Sequence, residues 1–381
     1  MIKKLNLQTI FISLYIFAIV VFIAHFILVG KAVYGDARYY YSYLASLIID
    51  HNLEFKNAFK YFGIEYFKTP LGNPANIYPI GPAIVWFLPF ISVHLLLFPF
   101  NLNDGYNNIY QFIIGIWNIT LVFIGLYFLK KSLTKLFSEK IAYLTIFTIF
   151  LTTNLLFYGA VDVINSHSVS FFASSLFLYF WLNKKIKLSA AMLGLLVLIR
   201  PQDALFAILP LSSLIIEKRT YIAKFLTITV ISLFVFLPQL FIWKLLWGTW
   251  YLNPYLKVET FNFGSPHILG VLFNSGDGLF LWTPIIILCA IGLIKFALKN
   301  KSLGIPFLII SLGELYIVSS WSVWWQGASF SGRMFVSILP ILSIGLAHLF
   351  NQKQFQKIRI PIAVFFSALN IVLIIIFLKN F

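Results

Sequence analysis

An all-α, polytopic transmembrane helical bundle is the fold class this sequence predicts, and three observations predict it. Of its 381 residues, 60% are hydrophobic and only 10% are charged, where soluble chains carry about 25% charged residues. The mean hydropathy is +0.91. The apolar residues gather into runs long enough to span a bilayer, and basic residues fill short loops between alternate runs.

The runs lie at roughly 10–30, 109–129, 141–158, 168–183, 186–199, 204–216, 225–246, 279–295, 305–320, 334–350 and 361–378. Lys3 and Lys4 precede the first run, and no small-residue cleavage site follows them, so it reads as a retained helix and not a signal peptide. Lys130/Lys131/Lys135/Lys140, Lys184/Lys185/Lys187, Lys218/Arg219/Lys224, Lys295/Lys299/Lys301 and Lys353/Lys357/Arg359 form one set of loops with Lys3/Lys4. The loops between them, 159–166, 200–203, 247–278 and 319–333, are poor in Lys and Arg. The positive-inside rule places the basic set in the cytoplasm.

Residues 79–100 break this parity. They are apolar enough to span, yet a crossing there puts the basic loop 130–140 on the wrong side. They carry Pro79, Pro82, Pro89 and Pro99, and the loop Asn101–Asn108 has no Lys or Arg. The segment therefore reads as one that dips in and returns; the alternative is a true crossing with a misplaced basic loop. The expectation is one domain over 1–381, with about eleven crossings, the N-terminus inside and the C-terminus outside. External loops fall near 31–78, 247–278 and 319–333, in a cell (plasma or inner) membrane.

The net charge of +16 belongs to these loops and to anionic lipid headgroups. No nucleic-acid motif accompanies it. Cys289, the single cysteine, has no disulfide partner within the chain.

Nearly every unusual polar residue falls on the external side. Tyr34-Gly35-Asp36-Ala37-Arg38-Tyr39-Tyr40 follows the first run and places a carboxylate where the chain leaves the membrane, ahead of an aromatic amphipathic helix. Asp36 suits a catalytic base and equally suits an N-cap, worth ~1 kcal/mol. Asp162 and His167 sit between two runs, where they suit a metal, a sugar or helix ends; two ligands make no metal signature. Arg200-Pro201-Gln202-Asp203 ends a short helix, with Arg200 able to snorkel or meet a lipid phosphate. Loop 247–278 carries Lys257, Glu259, His267 and Asp277; Asn274-Ser275-Gly276-Asp277-Gly278 reads as a turn first and an anion nest second. Trp324, Trp325 and Arg333 mark the last external loop, where aromatic rings stack on sugars or anchor at the interface. Arg333 opens a span whose N-terminus faces outward, a position suited to phosphate.

These landmarks, Gly35-Asp36 with its aromatic helix, Tyr78-Pro79-Ile80-Gly81-Pro82, Gly278-Leu279-Phe280-Leu281-Trp282-Thr283-Pro284 and Trp324 through Arg333, come in an order that resembles the GT-C superfamily of integral-membrane glycosyltransferases. That group includes the protein O-mannosyltransferases and the lipid A aminoarabinose transferase. The resemblance implies a GT-C-like fold. It also implies transfer of a sugar from a polyprenyl-phosphate carrier to an acceptor, whether lipid, glycan or protein, on the external face, with Asp36 as base. The residues fit inverting transfer. A carboxylate takes the acceptor's proton, and a cation meets the leaving phosphate, from Arg333 with Arg200 or Lys257 in reserve. Tyr39, Tyr40, Asp162, His167, Trp324, Trp325, Glu259 and Asp277 are the expected substrate-binding residues. No second acid pairs with Asp36 in sequence as a retaining enzyme's would, about 5 Å away, and no cofactor is assigned; a divalent metal stays open. Rival readings are a transporter or flippase of a lipid-linked sugar, which calls for internal repeats not found here, a glycan polymerase or ligase, and a membrane scaffold.

Overall fold

A computed structural model describes residues 6–217, 221–251 and 254–380; Lys3, Lys4, Lys218 and Arg219 lie outside the described residues. Among the described residues the chain is helical, with no strand beyond two isolated bridges. In order the helices are α1 (Leu7–Val29), α2 (Ala37–Leu44, running on as the π turn Ala45–Ile49), α3 (Lys56–Phe62), α4 (Gly81–Leu97), α5 (Asn108–Leu133), α6 (Glu139–Thr152), α7 (Leu155–Ala160), α8 (Ser166–Leu182) and α9 (Ile186–Ile199). Then follow α10 (Ile208–Glu217), α11 (Ile222–Trp247), α12 (Ile268–Phe273), α13 (Leu279–Trp282), α14 (Ile285–Lys299), α15 (Lys301–Ser320), α16 (Leu339–Phe350) and α17 (Arg359–Asn380). The 3-10 turns Pro201–Ala207 and Arg333–Ile338 lead into α10 and α16.

Seven helices among the described residues are long and apolar enough to cross a membrane: α1, α4 with Phe98–Phe100, α5, α11, α15, the segment Arg333–Phe350, and α17. The chain is a multi-pass membrane protein. The remaining runs are shorter or broken. Run 141–158 breaks between α6 and α7, where the carbonyls of Leu151 and Thr153 accept from Asn370 Nδ2 of α17 at 2.9 and 3.0 Å. A break in apolar surroundings persists only when its backbone groups find such partners. Run 279–295 breaks at Thr283-Pro284, proline being unable to continue α13.

Small residues set the tightest crossing. A Cβ at Gly292 would lie 2.0 Å from the Gly345 carbonyl oxygen, and one at Gly345 would lie 2.1 Å from that of Cys289. The backbones of α14 and α16 touch there, as helices in lipid do where side chains are absent.

The bundle has two chemically distinct ends. At one, Lys130 of α5 pairs with Glu139 of α6 at 3.4 Å, His348 of α16 sits near Lys295 and Lys299, and Arg359 Nη1 donates to the Phe350 carbonyl at 3.2 Å. At the other, Asn108 Nδ2 donates to the Gly30 carbonyl at 3.2 Å, and Phe377 of α17 packs against Phe157, Trp282 and Phe330. Helix α4 runs antiparallel to only the first half of α5. Trp86 Nε1 donates to Asn118 at 2.8 Å, His94 Nδ1 meets the Tyr110 hydroxyl at 3.0 Å, and Gly81 abuts Leu198 and Ile199 at the end of α9. These contacts of α4 lie away from the Lys-rich end.

Candidate active site

The sequence between α1 and α2 is built to present Asp36. Gly30 ends α1 with φ +76°, where a side chain would be strained. The N–H groups of Ala32 and Val33 then donate to Gln111 Oε1 at 2.9 and 3.0 Å, fixing the chain to α5. Asp36 follows at the start of α2 but makes no capping hydrogen bond. Its carboxylate turns inward: Oδ1 accepts from the Tyr78 hydroxyl at 3.0 Å, and Oδ2 lies 2.9 Å from Arg333 Nη1. The N-cap reading of Asp36 is thereby replaced by an ion pair.

Arg333 is held by a loop clamped from three directions. Asn154 Nδ2 donates to the Gly332 carbonyl at 2.9 Å, the Tyr158 hydroxyl to that of Phe330 at 3.1 Å, and Thr283 shares a 2.7 Å contact with Ser331. Gln326 and Ser331 are left-handed at φ +61° and +54°, a cost the clamps sustain. The helix N-terminus itself offers little to an anion. The N–H groups of Arg333, Met334 and Phe335 already donate to Ser331 O, Gln326 Oε1 and Gly332 O. What this position offers to an anion is the guanidinium and not the helix end.

Two cavities meet at the pair. The smaller, about 460 Å³, is lined by His25, Lys31, Tyr34, Asp162, Asn165 and Ser329 among others. The larger, about 700 Å³, is lined by Tyr40, Tyr78, Arg200, Tyr255, Glu259 and Trp321, and by an apolar wall that includes Leu256, Phe261, Phe263, Ile317 and Val318. Asp36, Ser166, His167 and Arg333 line both.

Burial governs the acids and phenols outside the spans. Asp162 is half-buried against the smaller cavity, and desolvation pushes its carboxyl up to about 7, against the pull of Arg333 and with the Asp36 charge adding. Burial raises Tyr78, with the Asp36 charge adding, so its hydroxyl stays a donor. Burial, then Asp36, pushes Tyr40 up to about 12. Glu259 is raised by burial, opposed by the hydrogen bond from Trp321 Nε1 at 2.5 Å.

The expected residues divide into two groups. Asp36, Arg333, Arg200, Tyr40, Asp162, His167 and Glu259 line the cavities. Arg200 Nη1 lies 2.9 Å from His167 Nδ1 and donates to the Met334 carbonyl at 3.2 Å; since guanidinium only donates, His167 Nδ1 is the acceptor. Tyr39 stands one layer back, stacked on Tyr78 at 4.6 Å. The others are elsewhere. Lys257 is exposed and lines neither cavity. Trp324 stacks on His267 at 5.2 Å and packs on Gly270 of α12, leaving Trp325 exposed. Asp277 accepts from Asn274 Nδ2 at 2.7 Å inside the turn 274–278, and lines neither cavity; burial pushes its carboxyl up to about 6. Tyr78, Tyr255, Trp321 and Ser166 were not foreseen as site residues. Tyr78 was visible only as part of a landmark whose first ring precedes two prolines.

Among the described residues, no group of three or more His, Cys, Asp or Glu side chains gathers as a metal site. No protein-family model matches the chain, and no curated protein matches it.

Proposed function

We propose that this protein is a GT-C-like glycosyltransferase that takes a sugar from a polyprenyl-phosphate carrier on the external face of a cell membrane. The observation that carries the reading is the junction of two cavities on one carboxylate and one guanidinium, Asp36 and Arg333. The larger cavity, with its apolar wall and Arg200, suits the phosphate and first isoprene units of the carrier. The smaller, more polar cavity suits the acceptor. In the transfer, the acceptor oxygen bonds to the anomeric carbon, the carbon–oxygen bond to phosphate breaks, and its electron pair leaves on the phosphate. Asp36 receives the acceptor's proton, and Arg333 and Arg200 meet the growing phosphate charge.

The ion pair gives this mechanism an order. Without donor, Arg333 occupies Asp36 Oδ2. A bound phosphate competes for the guanidinium and releases that oxygen toward the acceptor. In this reading the Lys-rich end is cytoplasmic, α1 and α17 both run outward, and α4 dips and returns, in keeping with its contacts to only the first half of α5. The residues that would hold a divalent metal are not assigned.

The test is sugar transfer from a panel of polyprenyl-phosphate sugars in proteoliposomes, comparing wild type with Asp36→Asn. Turnover in the wild type that falls by roughly 10²–10⁴-fold in the variant is expected. Equal turnover in both removes Asp36 as base. Absence of turnover with every donor, together with measured flipping of the same lipids, replaces the enzyme reading with a flippase.

A further inference from the structure

Beneath the larger cavity lie two acids that this chemistry does not use. Asp203, in the turn Pro201–Ala207, and Glu314, in α15, are each 1% exposed, and none of their four carboxylate oxygens accepts a hydrogen bond. Ser337, in the turn Arg333–Ile338, is fully buried, and its hydroxyl is set toward Asp203 without a hydrogen bond of regular geometry. The segments touch at this level: a Cβ on Gly313, next to Glu314, would lie 3.0 Å from Leu205 Cδ2. Neither acid lines either of the two cavities of the site.

Arg200, 4% exposed, is the cation that acts on both acids. Its hydrogen bonds go elsewhere, to His167 and to Met334. It therefore gives the acids charge without occupying their oxygens. Two carboxylates and one guanidinium leave one negative charge in an apolar bundle, an expensive residue of charge in a membrane protein. A buried water would supply hydrogen bonds but no charge. Among the described residues, the charged groups acting on the pair are Arg200 and the two acids themselves, with His167 beyond Arg200 as the nearest titratable neighbour on α8.

We propose that Asp203, Glu314 and Ser337 form a site for one monovalent positive charge, either a proton shared by the two carboxyls or a sodium ion on their oxygens. The site stands independently of the transfer reaction and is tested without it.

Purified protein in detergent micelles is unfolded thermally with sodium chloride replaced stepwise by choline chloride at constant ionic strength. In parallel, its infrared spectrum is recorded for the carbonyl stretch of a protonated carboxyl at a pH where exposed acids are ionised. A sodium site raises Tm saturably by several degrees, and Glu314→Gln and Asp203→Asn each abolish the rise. A shared proton leaves Tm indifferent to sodium and gives a protonated-carboxyl band that persists in an Asp162→Asn/Asp277→Asn background and disappears in Glu314→Gln. Absence of both signals in that background overturns the site, as does survival of either signal in both Glu314→Gln and Asp203→Asn. If neither of those variants folds, the measurements in the Asp162→Asn/Asp277→Asn background decide alone.

Discussion

Arg333 Nη1 stands 2.9 Å from Asp36 Oδ2, with the two side chains 18% and 31% exposed. This places the pair between two regimes. Fully exposed pairs contribute about 0–1 kcal/mol, while removing one partner of a buried pair costs about 3–5 kcal/mol. A double-mutant cycle of Asp36→Asn and Arg333→Gln, read by thermal unfolding in detergent, is expected to return a coupling of about 1–3 kcal/mol. A coupling near zero would mean that the two groups are held by their own surroundings and not by each other.

Arg333→Lys keeps the charge and loses the planar fork. If the guanidinium passes from Asp36 to the donor phosphate, lysine serves both partners poorly. Transfer is expected to fall by roughly 10–100-fold in kcat/KM, the kinetic equivalent of about 1.5–3 kcal/mol for a hydrogen bond to a charged group. The loss should be carried mainly by the donor's KM. An unchanged donor KM would assign the phosphate to Arg200 instead.

Tyr78→Phe isolates the other oxygen of Asp36. The ring, stacked on Tyr39 at 4.6 Å, is kept, and only the hydroxyl donated to Oδ1 at 3.0 Å is lost. The protein should fold, and kcat should fall by about tenfold as the carboxylate loses one of its two orienting contacts. Wild-type kinetics in this variant would reduce Tyr78 to packing.

Asp36 and Arg333 were legible in the sequence because each is a charge at the mouth of an apolar run, where a charge needs a reason. Their meeting was not legible, since nothing local links the two loops. Tyr78 was hidden for a related reason: its ring reads as interfacial, and its partner is supplied by tertiary packing. Glu314 carries a signal of its own, an acid inside run 305–320. Lys257 and Trp324 show the reverse, a suitable side chain that lines neither cavity. Both have the right chemistry, but the loop turns Lys257 to solvent and Trp324 onto α12. The run boundaries were legible, whereas the breaks at Thr153 and Thr283 depend on partners such as Asn370.

Asp162 predicts a pH dependence of stability. Its folded value of about 7 lies above the unfolded value of about 3.9. Between these the folded state holds a proton that the unfolded state has released, so stability falls as pH rises from about 4 to about 7 and levels off above. Asp162→Asn should flatten this part of the Tm profile and be the more stable form above neutral pH. Asp277, at about 6, acts with the same sign over a lower window, so Asp277→Asn should flatten only the acidic part. A profile for Asp162→Asn parallel to that of the wild type would show that its carboxyl is not withdrawn from solvent.

Gly81 joins the fold to the site. A Cβ there would lie 2.3 Å from the Leu198 carbonyl oxygen, a backbone atom that no rotamer change can move aside. Gly81→Ala must therefore push the start of α4 away from the end of α9. Overpacking of this kind costs about 1–3 kcal/mol. The displacement is transmitted to both halves of the site, because Tyr78 lies three residues before Gly81 and Arg200 directly follows Ile199. Gly81→Ala should lower Tm and reduce transfer beyond what Tyr78→Phe alone produces. Gly270→Ala is the comparison, since it presses on Trp324 at 2.6 Å, outside the cavity walls, and should lower Tm while leaving donor KM unchanged. A Gly81→Ala protein with a wild-type donor KM would separate the α4–α9 contact from the site and leave it a purely structural crossing.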